Sequence, residues 1–165
     1  VSKRLVALGM GWHFAAQDGK LGYGDGRVIR LGKALAVDVS TRPPKCCKYG
    51  LHCSKRIIDA LQYAQGPVLQ RVEYGGAVHE QEDKLAAEWR RPVAILHNAA
   101  PLLWVFARWS ALQVIHLWDA PGIVKQYLLT GDESLRDAAW DAAWAAARAA
   151  ARDAAWDAAW AAARA

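Results

Sequence analysis

The C-terminal repeat constrains the fold of this chain more than any other feature. RDAAWDAAWAAARAAA at 136–151 is followed by RDAAWDAAWAAARA at 152–165, a period of 16 built on units of four. Eighteen of the last 28 residues are Ala, the residue with the highest helix propensity, so a single long helix is predicted. Each four-residue unit overshoots a full turn by about 40°, so the Trp stripe winds around the axis. Trp140 and Trp144 therefore lie about 160° from Trp156 and Trp160, and no single face can bury all four. Such a helix either packs on different neighbours along its length or stands partly free. These four tryptophans are the residues expected to grip a protein partner or a second copy; a tolerated codon-level expansion is the alternative. Trp144/Arg148, Arg152/Trp156 and Trp160/Arg164 have the i,i+4 spacing of cation–π pairs.

Upstream, AAPLLWVFARWSALQVIHLW at 99–118 has nearly the length of a membrane span. Arg108, Gln113, His116 and Asp119 nevertheless fall within an arc of about 140°, which predicts an amphipathic helix on a soluble core and no membrane span. Asn98 is placed to cap it, with Pro101 in its first turn. A short helix over 121–129 should end at Gly131, and Asp132 or Thr130 should cap the repeat helix.

The first third reads as β. Asp18-Gly19 and Asp25-Gly26 are hairpin-turn signals after a WHFAA strand, RVIRLG and KALAVDV alternate as short strands, and Arg42-Pro43-Pro44 breaks the pairing. CKYGLHC reads as a strand leading into a helix over roughly 55–64, with Ser54 as its cap. PVLQRVEY then forms a strand that a Gly75-Gly76 turn ends. AVHEQED follows as a paired edge, DKLAAEWRR is ambiguous, and PVAIL is a short strand. The fold class is therefore α+β. A small β-rich N-terminal domain with one short helix spans 1–97, a helical segment covers 98–131, and the repeat helix occupies 132–165.

Charge is uneven. Residues 1–60 carry 11 Lys/Arg against 4 acids, 61–130 balance at six each, and 131–165 hold 4 basic against 6 acidic residues. The basic half admits nucleic acid, with Trp12, Tyr23 and Tyr49 as stacking groups, but its charges come singly, so a solvated strand surface is preferred. Three cysteines, an odd number, with no secretory h-region near the N-terminus, fit a reducing, cytoplasmic setting.

Three readings of KCCKYGLHCSKRIIDALQYA at 45–64 compete. Cys46 or Cys47 with His52 and Cys53 offers three metal ligands, but no second pair completes a zinc site, so no metal is expected. A cysteine nucleophile lacks a local signature, and buried, inert cysteines are expected instead. GYGDGR at 22–27 lacks the strand–loop–helix context of a phosphate loop and reads as a tight turn.

The third reading is a resemblance. WHF at 12–14, YGLHCS at 49–54, QYA at 62–64 and VLQRVEYGG at 68–76 follow in an order similar to the core of ADP-ribosyltransferases. The resemblance implies NAD as cofactor, with His13 as ribose ligand and His52 where that family has its nicotinamide-stacking Tyr. It also implies Tyr63 as the helix tyrosine and Glu80 or Glu82 as the catalytic acid. His in place of Tyr at 52, and hairpins in place of the family's first helix, depart from the pattern.

A second resemblance spans nearly the whole chain. GLH-x-S-x₄-DALQYA-x-GPV with an Ala/Trp/Arg tail is similar to a family of small proteins, of no assigned activity, from actinobacteria and their phages. It implies a phage or mobile-element accessory protein inside a bacterial host cell. Such a protein is expected to act without a cofactor by binding a protein partner, with interference with a host defence system as one use. The NAD-dependent transferase is the alternative.

Overall fold

The computed structural model describes residues 5–162. The fold is α+β, as expected: a five-stranded antiparallel sheet precedes a helical half that ends in a long helix. The strands are β1 (Ala7–Ala15), β2 (Leu35–Ala36), β3 (Leu51–Cys53), β4 (Val68–Glu80) and β5 (Leu85–Leu96). The helices are α1 (Ile57–Leu61), α2 (Ala100–Val114), α3 (Gly122–Thr130) and α4 (Arg136–Ala162), with 3-10 turns at Ile115–Leu117 and Glu133–Leu135. The chain divides into two compact units, one up to Ala100 and one from Pro101 onward.

In the first unit the sheet order is β1-β4-β5-β2, and β3 also pairs with β5. β4 alternates buried and half-buried residues from Val68 to Tyr74, as a strand with one face on a core must. One core cluster joins Ala15, Leu21, Ile29, Leu51 and Val68, and a second joins Cys53, Val72, Tyr74, Leu85 and Ala87. β3 is only three residues long, yet Leu51 and Cys53 anchor it in both clusters.

Several boundaries differ from expectation. Gly75-Gly76 is not a turn. β4 runs through it to Glu80, with the register against β5 shifting between Gly75 and Val78. Gly76 has φ +75° and abuts the Glu88 side chain, so the pair makes a bulge that bends a continuous hairpin. The hairpin closes instead at Gln81–Lys84, where the Gln81 N–H donates to the Lys84 carbonyl at 2.8 Å. The ambiguous DKLAAEWRR and the short PVAIL thus belong to one 12-residue strand. RVIRLG and KALAVDV yield only the two-residue β2 and a Lys20–Val28 bridge. The Asp18 and Asp25 turns form as expected, each carboxylate accepting from the backbone two residues on.

α1 is shorter than predicted, and Arg56 rather than Ser54 precedes it. Ser54 is buried and pairs through its backbone with Trp12, at 2.7 and 3.0 Å. That bridge ties the end of β3 to the middle of β1.

At the end of the first unit the Asn98 side chain accepts from the Ala100 N–H at 3.0 Å and caps α2. None of the α2 side chains is fully buried, Leu103 and Leu112 being half-buried, and the helix gives way to a 3-10 turn before Trp118. No helix among the described residues is long and apolar enough to cross a membrane. α3 ends at Gly131 with φ +67°, the left-handed cap that glycine favours. Asp132 caps the 3-10 turn at Glu133–Leu135, and α4 follows directly from it. α4 packs on α3, and its better-covered positions are alanines, led by the buried Ala139. Trp140, Trp144, Trp156 and Trp160 are all exposed. The Trp144/Arg148 pair stacks at 5.5 Å as expected; Arg164, the partner expected for Trp160, lies outside the described residues.

Candidate functional site

A cavity of about 460 Å³ opens in the first unit beside the β1–β3 corner. β1 contributes Trp12 and His13, β3 with its approach contributes Tyr49 to Cys53, and Tyr63 comes from the turn after α1. Leu21 to Tyr23 and Asp25 form one lip, and Cys47, Lys48 and Lys84 another. Arg90 completes the lining from β5.

His13, His52 and Tyr63, about 50 residues apart from first to last, therefore meet at one cavity. Trp12, Tyr23 and Tyr49, weighed as nucleic-acid stacking groups, line the same space. Glu80 and Glu82 do not. Glu80, at the exposed end of β4, is paired with Lys55, and Glu82 borders a shallow cleft with Arg56, Asp59 and Asp83. Among the described residues, the carboxylate that lines the cavity beside β1 and β3 is Asp25, which Arg27 holds through Nε and Nη2 at 2.7 and 2.8 Å.

Burial sets the electrostatics. His13 titrates well below an ordinary histidine, first because it is desolvated and then because Arg90 and His52 are near. His52 is lowered for the same leading reason, with Arg90 and Lys84 adding to it. Both imidazoles are thus neutral near pH 7. The Cys47 N–H donates to His52 Nε2 at 3.0 Å, which fixes that nitrogen as the acceptor and withdraws it from any metal. No group of three metal-ligating side chains occurs among the described residues.

The cysteines divide by burial. Cys46 is buried, with its Sγ 3.3 Å from the His79 carbonyl, and desolvation raises its thiol. Cys53 is buried in the core and pushed up to about 11. Cys47 is exposed at the cavity, with φ 64°. At the mouth the Tyr63 hydroxyl bonds Asp83, and Lys84 Nζ donates to it at 3.1 Å from above the ring. That tyrosine bond leads the causes that raise the Lys84 ammonium.

Arg90, which the sequence reading passed over, is 3% exposed. Its Nη1 donates to the His52 carbonyl, and desolvation draws its pKa down to about 10. No salt bridge among the described residues includes it. Gln70, opposite His13 in the β1–β4 ladder, is fully buried, and its amide has no hydrogen-bond partner among the described residues. Two adjacent arginines in the strand LAAEWRRP were the available signal for this depth, but only the pairing with β2 and β3 tells Arg90 from Arg91.

The chain matches no family model, no curated protein and no solved structure.

Proposed function

We propose that the first unit is a binding module for a nucleotide of the NAD or ADP-ribose class. The observation that supports this is the meeting of His13, His52 and Tyr63 at one cavity, the set that the transferase resemblance assigns to such a ligand. The volume of about 460 Å³ lies in the usual range for small-molecule sites. Neutral His13 suits hydrogen bonding to sugar hydroxyls, and the aromatic walls suit a base or nicotinamide ring. Glycosyl transfer needs a carboxylate beside the developing oxocarbenium. Glu80 and Glu82 lie outside the lining, so the proposal is binding without turnover.

Thermal unfolding with NAD⁺ and with ADP-ribose tests it. At a hundredfold excess over Kd a ligand adds about 2.7 kcal/mol, a rise of roughly 5–10 °C at this size. No rise with either at millimolar concentration contradicts the reading. Label transfer from NAD⁺ that Glu80→Gln/Glu82→Gln abolishes replaces it with catalysis.

The exposed tryptophans of α4 favour a second reading, in which a phage or mobile-element accessory protein binds a protein partner or its own copy through that helix. Sedimentation of the full chain over a concentration series, with and without all four Trp→Ala changes, tests its self-association form. Concentration-dependent association that the changes remove supports it; a monomer throughout leaves only a foreign partner.

A further inference from the structure

The cavity has a buried cation at one place and a displayed aromatic at another. Arg90 lines it at 3% exposure. Removing a guanidinium from water costs several kcal/mol unless an anion or a set of hydrogen bonds compensates. Within the described residues Arg90 has the His52 carbonyl and no carboxylate. The neighbouring imidazoles add no negative charge, and Asp25 is already neutralised by Arg27. Lys48 and Lys84 line the cavity as well, with Asp83 beside Lys84 on the Tyr63 hydroxyl. The arrangement is half of an ion pair.

Tyr23 is the counterpart at the mouth. The residue is 97% exposed, and its φ is 58°, a conformation that a bulky residue rarely adopts. The loop that carries it is clamped. Leu21 N–H donates to the Arg27 carbonyl at 2.9 Å, Gly26 N–H to the Leu21 carbonyl at 3.1 Å, and Arg27 Nη1 to the Ala36 carbonyl at 2.7 Å. A strained backbone held by its surroundings, presenting an unburied ring beside a cavity, is the pattern of a ligand contact and not of a folding contact.

Building on the nucleotide reading, we propose that the ligand enters phosphate first: its phosphate pairs with Arg90 inside the cavity and its base stacks on Tyr23 at the mouth. Arg90 supplies a planar donor fork that fits phosphate oxygens, and Lys84 screens the remaining charge. The ligand class is thereby a phosphate-bearing nucleotide, as opposed to a nucleoside or free nicotinamide.

The test is calorimetric titration of the full chain with AMP, adenosine and sodium pyrophosphate, in wild type, Arg90→Lys and Tyr23→Gly. Wild type should bind AMP and pyrophosphate, and adenosine at least 30-fold more weakly than AMP. Arg90→Lys keeps the charge but loses the fork and should weaken both phosphates at least tenfold. Tyr23→Gly relieves the positive φ, so it should fold at least as stably, yet weaken AMP about tenfold and leave pyrophosphate unchanged. The AMP–adenosine comparison needs no variant, so a misfolded Arg90→Lys cannot shield the proposal. Adenosine binding as tightly as AMP overturns the phosphate-first orientation and leaves the nucleotide reading intact. Pyrophosphate binding without AMP binding overturns both and leaves a bare anion site. Equal losses of AMP and pyrophosphate in Tyr23→Gly overturn the role of that ring.

Discussion

In the unit up to Ala100, Arg90 and Gln70 are buried in the sheet while Tyr23 is held out at the mouth of a cavity. In the unit from Pro101 onward the tryptophans of α4 are exposed, and the covered positions of this helix, which packs on α3, are alanines. The first arrangement costs folding energy, because buried polar groups must find partners. The second costs little, because alanine carries its own helix propensity. Polar burial thus sets the first unit apart, with Arg90 and Gln70 both inside its sheet. Aromatic exposure marks the second as a surface.

The sharpest way to break this contrast is a matched pair of truncations. Phe14 is 1% exposed in the first unit and Trp156 is 72% exposed on α4. Phe14→Ala should cost about 3–5 kcal/mol, and Trp156→Ala should stay within about 0.5 kcal/mol. Urea midpoints followed by far-UV circular dichroism measure both. A Trp156→Ala loss near that of Phe14→Ala would mean that α4 is held through its aromatic residues.

A smaller effect comes from pH. The folded chain keeps His13 and His52 neutral below the ordinary value of 6.5, mainly through desolvation. The unfolded chain takes up those protons near 6.5, so it binds more protons than the fold as the pH drops. Stability should therefore hold above that pH and fall below it, with a slope of up to about 1.4 kcal/mol per pH unit for each group. His13→Gln should flatten the slope between pH 6.5 and 5, measured from urea midpoints. An unchanged slope would place the acid sensitivity outside the cavity.

Legibility in the sequence followed the range of the interactions. The repeat helix, the Gly131 cap and the Asp18 and Asp25 turns depend on near neighbours, and the sequence carries them. Gly75-Gly76 misled because two glycines serve a bulge as well as a turn, and only the pairing of β4 with β5 decides between them. His13, His52 and Tyr63, grouped by an ordered resemblance, line one cavity, whereas the acids expected with them, Glu80 and Glu82, lie outside its lining. Arg90 was missed because its depth is created by two short strands laid along β5, a long-range fact.

The most direct test of the central claim, that this cavity is the ligand site, uses its own exposed thiol. Cys47 lines the cavity, while Cys46 and Cys53 are buried and have raised thiol pKa values. A maleimide should label the native protein at one cysteine, Cys47, and saturating ADP-ribose should slow that labelling at least tenfold. Labelling of Cys47 at the same rate with and without millimolar ADP-ribose would contradict the assignment of the cavity as the nucleotide site.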